Sequence, residues 1–222
     1  MLKLNNVEET MLIPLAIRAN ETQRKNARIR DKKAVEIIKK LNINTAKYDK
    51  FLSHEGVVAR TILFDNEIKA YIAEYPDAVC ISIGCGFDNR FERVDNGRIK
   101  WYNLDLPDVI NYRKQFFKEN NRVRSIASSA LDKKWTDDVE KDKMAIILME
   151  GVLMYFEEKD VINLFNIIKT YFKHSIIIAE IMPAVHIGKD KYHDTVKVTK
   201  AKFKWGLKTV KRLKIFAKDG IL

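Results

Sequence analysis

Cysteine is scarce in this 222-residue chain, with only Cys80 and Cys85. Their spacing excludes a zinc site of the usual kind and a disulfide framework. Cys80 reads as a small apolar residue inside a strand, and Cys85 as a loop residue open to solvent. No charged-then-apolar signal region stands at the N-terminus, and no apolar run approaches membrane-spanning length. The expectation is a cytoplasmic protein. Internal repeats and low-complexity segments are also lacking. The 46% hydrophobic and 10% aromatic content excludes a disordered chain. The length suits one domain with a full core, with or without an appendage.

Acidic residues are in deficit, 30 against 41 Lys and Arg, for a net charge of +11. The excess lies at both ends. Nine basic residues and three acidic ones fall between Arg18 and Lys40, and residues 189–218 are basic again. Nucleic-acid binding is one reading of this charge. Solvated helix faces are the better one, since the lysines stand at helical spacing among apolar residues and no aromatic-interleaved basic motif occurs.

Strands and helices alternate through the middle of the chain. Residues 79–83, 100–105, 122–127, 144–149 and 175–181 read as strands. Between them, helices are expected from Pro107 to about Asn120, with proline in its tolerated first turn, and over 157–173. A short helix is expected within the polar linker 133–143. This pattern implies an α/β fold with a parallel, doubly wound sheet. Before the first strand, residues 7–20 carry a helical pattern that Pro14 is expected to kink or break. A longer helix is expected over 21–41, a loop with some helical character over 42–54, and a helix over 57–75 with Arg60 near its first turn. After the last strand, 189–203 and 207–217 read as helices. Residues 1–55 are thus expected to form a helical cap, and 56–222 the α/β core.

The stretch Val79–Arg93 organises the rest. Its first strand breaks into Gly84-Cys85-Gly86, where the backbone can turn sharply and approach a ligand closely. In open α/β sheets ligands bind beyond the carboxyl ends of the strands. Asp105 ends the second strand, about 20 residues after the glycines, where a ribose diol would lie. The third glycine of a dinucleotide fingerprint is missing, with Asn89 in its place. Asp88 sits inside the turn, where it would repel a pyrophosphate and suit a cation. These features favour S-adenosylmethionine over NAD or FAD. Glu150 follows six apolar residues at the end of the fourth strand and so should face the ligand crevice.

Several blocks together resemble the leucine carboxyl methyltransferase family, and most closely its bacterial branch of polyketide O-methyltransferases. They are Ile13-Pro14-Leu15-Ala16-Ile17-Arg18-Ala19, the helix over 57–65, Ser82-Ile83-Gly84-Cys85-Gly86-Phe87-Asp88-Asn89-Arg90-Phe91, Trp101-Tyr102-Asn103-Leu104-Asp105-Leu106-Pro107, Glu150-Gly151-Val152-Leu153-Met154-Tyr155-Phe156, and Phe203-Lys204-Trp205-Gly206. The resemblance implies a class I methyltransferase fold and S-adenosylmethionine as cofactor. It implies that Arg60 pairs with the cofactor's methionine carboxylate and that Gly84, Gly86 and Asp88 line the methionine end. Asp105 would bind the ribose hydroxyls, Ser129 and Ala130 would flank the adenine, and Glu150 would lie near the methionine amine. The protein-methylating branch tends to have Asp-Leu where this chain has Ser129-Ala130, and Asn89 replaces a more usual threonine. Family members continue past the Trp-Gly block into an antiparallel strand pair. Only five strands are counted here, which leaves an edge beside the fifth.

The expected function is O-methylation of a hydroxyl or carboxylate on a small molecule. A carboxylate acceptor needs no general base and a phenol would benefit from one. Tyr155, His186 and His193 fall in or after the regions expected near the substrate, and none is singled out as catalytic. No metal is expected. The alternatives are a protein C-terminal carboxyl methyltransferase and a non-catalytic cofactor- or nucleic-acid-binding relative.

Overall fold

The computed structural model describes residues 7–209. Five strands form one parallel sheet in the order β3-β2-β1-β4-β5: β1 Val79–Ile83, β2 Lys100–Asp105, β3 Val123–Ala127, β4 Ala145–Met149 and β5 Ser175–Ala179. The six described helices are α1 Leu12–Thr22, α2 Lys32–Leu41, α3 Phe51–Glu74, α4 Arg90–Val94, α5 Pro107–Arg113 and α6 Glu158–Tyr171. The two central strands β1 and β4 are buried at every position. Parallel strands covered on both faces have no solvent side, hence their unbroken apolar sequence. Side chains alternate between faces. Cys80, Trp101, Ile146 and Leu148 cluster with Phe64, Ile68 and Ile72 of α3. Val79, Ile81, Ile83, Leu104, Ile147 and Met149 cluster with Val161, Leu164 and Ile168 of α6.

Register brings the strand ends to one level. Ile83 lies beside both Leu104 and Met149, and Met149 beside Ala179. The residues that follow Ile83, Leu104, Met149 and Ala179, namely Gly84, Asp105, Glu150 and Glu180, therefore emerge together along one edge of the sheet.

The N-terminal elements differ from expectation. Pro14 is the third residue of α1, where it has no intrahelical N–H to lose, so the helix runs through it. The long helix expected over 21–41 is broken at 23–31. There Thr22 Oγ1 accepts from Asp31 N, and the Asp31 carboxylate caps α2 by accepting from Ala34 N at 2.9 Å. A competent N-cap with tertiary partners outweighs helix propensity across the gap. The left-handed Asn42 ends α2. Helix α3 starts at Phe51, inside the expected loop, so Arg60 lies in its third turn and the helix crosses position 55.

Later segments are also less helical than expected. Helix α5 stops at Arg113, short of Asn120. The Asn120 side chain instead accepts from Arg122 N and Val123 N and turns the chain into β3. Strand β5 ends at Ala179, two residues early. The helix expected over 189–203 is replaced by 3-10 turns at Asp190–Tyr192 and Val196–Val198. Between them His193 Nδ1 faces the N–H groups of Thr195 and Val196, and the Asp194 carboxylate accepts from Ser53 N and the Ser53 hydroxyl. Asp194 thereby caps the first turn of α3 from a distant part of the chain. Leu207 pairs with Pro183 in a bridge and does not open a helix, and 210–217 lie outside the described residues. Cys85 is buried, not exposed, because the chain folds back over the glycine turn. No residue of β5 is fully buried, and among the described residues no strand pairs with its outer edge. No described helix is long and apolar enough to cross a membrane.

Ile147, fully buried on β4 among side chains of α6, reports on the main core. Ile147→Ala should cost about 2–5 kcal/mol of folding stability by loss of transfer energy and cavity formation, as read from urea unfolding midpoints.

Candidate active site

Beyond Ile83 the backbone passes through Gly84 and Gly86 at φ of +65° and +47°, conformations a side chain disfavours. A Cβ at Gly84 would collide with Val152, and one at Gly86 would press on Met11 at 3.0 Å. The Gly84 N–H donates to Leu104 O at 2.8 Å, closing the turn against β2. Asp105 then reaches back. Its Oδ2 accepts from Gly86 N at 2.8 Å and its Oδ1 from Leu106 N at 2.8 Å. Burial pushes the Asp105 carboxyl above its ordinary value, against the pull of these two N–H groups and of the Arg113 guanidinium.

The turn opens into a cavity of about 820 Å³. All eight residues singled out from the sequence (Arg60, Gly84, Gly86, Asp88, Asp105, Ser129, Ala130 and Glu150) line it. Tyr155, His186 and His193 line it too. Burial pushes the Tyr155 phenol up to about 12, so it holds its proton at neutral pH. Burial lowers the His193 imidazole below its ordinary value, favouring its neutral form.

At one end of the cavity lies a network of ion pairs that the sequence did not reveal. Arg60 Nε donates to Glu150 at 2.7 Å, while its Nη1 donates to both Glu180 oxygens at 2.9 and 2.7 Å. Glu180 also accepts from Gly151 N at 2.7 Å. Arg90 bridges Asp65 at 2.7 Å and Glu150 at 2.6 Å. Arg93 pairs with Asp65 at 2.6 Å and Asp88 at 3.1 Å, and Arg18 with Asp31 at 2.9 Å. Asp88 thus faces three guanidiniums, Arg93, Arg90 at 3.4 Å and Arg18 at 3.7 Å. Burial opposes its charge, but those three cations hold the carboxyl far below its usual range. The cation beside Asp88 is therefore supplied by the protein itself. Four guanidiniums face five carboxylates, leaving one negative charge in excess, which favours a cationic ligand.

Glu180 was legible in principle. It follows a β-branched strand as Glu150 follows β4, and the rule that placed Glu150 in the crevice applies equally to it. Arg90 and Arg93 offered only helical spacing, which is shared by every solvated helix face.

This strand order, with an acid-ended second strand and a glycine turn opening on a cleft, is that of class I S-adenosylmethionine-dependent methyltransferases. Two solved structures share the fold. A methyltransferase from Anabaena variabilis aligns with a TM-score of 0.55 at 10% identity, covering 73% of this chain and 71% of that one. The plantazolicin methyltransferase BamL aligns with a TM-score of 0.52 at 15% identity, covering 95% and 73%. The sequence profile of leucine carboxyl methyltransferases matches residues 11–169, and the chain belongs to that family. It is 26% identical over 208 residues to the tetracenomycin polyketide synthesis O-methyltransferase TcmP of Streptomyces glaucescens, covering 93% of this chain and 77% of that protein. It is also 26% identical over 196 residues to the S-adenosyl-L-methionine-dependent methyltransferase dpfgK of Gibberella zeae, covering 80% of this chain and 65% of that protein.

The depressed Asp88 carboxyl makes stability depend on pH. Its ionised form is favoured by folding, so its contribution is complete above the unfolded carboxylate range and declines as pH falls below about 4. Asp88→Asn should cost about 3 kcal/mol or more at pH 7, since three guanidiniums, two of them buried, lose a shared partner. The gap to wild type should narrow as the pH of urea unfolding is lowered toward about 3.

Proposed function

We propose that the chain transfers a methyl group from S-adenosylmethionine to a hydroxyl or carboxylate oxygen of a small molecule. The observation that carries this reading is Asp105. Two backbone N–H groups fix its carboxylate at the cavity wall, at the end of the strand beside the glycine turn. Each oxygen keeps a lone pair for a vicinal diol. The cavity lies within the range of about 300–1,000 Å³ typical of small-molecule sites. The excess negative charge at its ion-pair end suits a sulfonium and an ammonium.

S-adenosylmethionine supplies an electrophilic methyl group on a sulfonium. The protein's part is to orient the reactants and exclude water. Arg60 and Glu150 hold the methionine end, Asp105 the ribose, and Ser129 and Ala130 the adenine. The acceptor would lie against Leu52, Met154, Tyr155, Met182 and Phe203, which bring apolar surface to the cavity wall. With Tyr155 protonated and His193 Nδ1 facing backbone N–H groups, no side chain is assigned as general base. An acceptor that is already ionised, such as a carboxylate, needs no such base, whereas a phenol would benefit from one. The relative TcmP is named for polyketide synthesis, which supports a small-molecule acceptor. Of the expected cap over 1–55, the described part, 7–55, is read as covering this end of the sheet, since Met11, Ile13, Pro14 and Arg18 line the cavity.

Calorimetry on the purified chain should show micromolar binding of S-adenosylmethionine and S-adenosylhomocysteine. Asp105→Ala should weaken binding at least about tenfold, or about 1.4 kcal/mol, through loss of a charge-assisted ribose contact. Unchanged affinity in the folded variant would remove Asp105 from the ribose site.

A further inference from the structure

Three described arginines are buried: Arg18, Arg90 and Arg113. Arg18 and Arg90 each meet carboxylates at 2.9 Å or less. Arg113 forms no ion pair with any carboxylate among the described residues, although it is only 4% exposed. Its Nη1 donates to the Gly86 carbonyl at 2.8 Å, and its Nη2 to Asn103 Oδ1 at 3.3 Å. Its guanidinium carbon stands 4.0 Å from the Phe117 ring centroid, and its Nε has no acceptor. A buried charge without a counter-ion is costly. Packing alone would be served better by a methionine or leucine, which bring no N–H group to satisfy.

Gly86 connects this guanidinium to the cofactor site. The peptide N–H of Gly86 donates to Asp105, and its carbonyl accepts from Arg113. We propose that Arg113 is a positioning residue for the cofactor. It clamps the Gly86 turn against Asp105 and keeps a positive charge behind the carboxylate that receives the ribose. The inference rests on the reading of Asp105 as the ribose ligand.

The groups around Asp105 support it. Burial disfavours the ionised carboxylate, and Glu8 from the N-terminal turn disfavours it further. The Cys85 thiol is pushed up by burial and stays neutral. Opposing them are the N–H groups of Gly86 and Leu106 and one cation, Arg113 of α5. Without that cation the carboxylate would gain a proton at a higher pH, and a protonated acid accepts ribose hydroxyls poorly.

The test is the titration of the Asp105 carboxyl carbon by NMR in the ligand-free protein, assigned with Asp105→Asn. Arg113→Met should raise the midpoint by at least about one pH unit, and Arg113→Lys should restore most of it. S-adenosylhomocysteine binding to Arg113→Met should fall about tenfold relative to wild type at a pH about one unit below the measured wild-type midpoint, and recover toward wild type about two units above the shifted midpoint. If Arg113→Met does not fold, Arg113→Gln removes the charge while keeping a donor for the Gly86 carbonyl. An unchanged midpoint in a folded variant overturns the proposal. So does an affinity loss that is equal at both pH values and not rescued by lysine, which would mark a packing role. A midpoint that shifts as expected in a protein that binds no S-adenosylhomocysteine sustains Arg113's hold on Asp105 and sinks the cofactor reading instead.

Discussion

The lattice of guanidiniums and carboxylates at the end of β1 is the constraint on which the rest of the molecule depends. It joins α1 through Arg18, the start of α2 through Asp31, and α3 through Arg60 and Asp65. It joins the glycine turn through Asp88, α4 through Arg90 and Arg93, and the ends of β4 and β5 through Glu150 and Glu180. Buried ion pairs contribute little net stability compared with well-packed apolar residues, yet breaking one leaves an unpaired charge at high cost. Such a lattice therefore acts on specificity. It admits one mutual arrangement of the N-terminal helices and the sheet, and the cavity wall is part of that arrangement.

Around the lattice the division of labour is simple. The apolar strands set the level at which their last residues emerge, and the parallel register aligns four of those residues along one edge. The glycines let the backbone pass where a Cβ would meet Val152 or Met11. Asp105 closes the turn through backbone N–H groups, and Arg113 holds the carbonyl on the other side of the Gly86 Cα.

What could be read from the sequence was whatever depends on short-range pattern. The five strands were legible because buried parallel strands are runs of apolar residues, and the ligand edge followed from their order. Asp105 and Glu150 were legible because an acid after such a run has few places to point. The ion-pair partners were not. Arg18 meets Asp88 across 70 positions and Arg60 meets Glu180 across 120, and only the folded chain sets those encounters. Helix boundaries failed where tertiary bonds overrode propensity, at Asp31 capping α2, at Asn120 turning into β3, and at His193 and Asp194 interrupting the segment after β5.

The carboxylate of Asp194 on the first turn of α3 has a mechanical consequence. A helix of 24 residues is about 36 Å long, and α3 carries Ser53 and Arg60 at the cavity wall and Asp65 beyond them. Loss of the Asp194 contact would strip the first turn of α3 of its cap, a change of about 1 kcal/mol. The rod that Asp194 caps at Ser53 carries Arg60 and Asp65 of the ion-pair lattice about two and three turns further on. The capped first turn and the ion-pair lattice beside the cavity therefore share one rigid element.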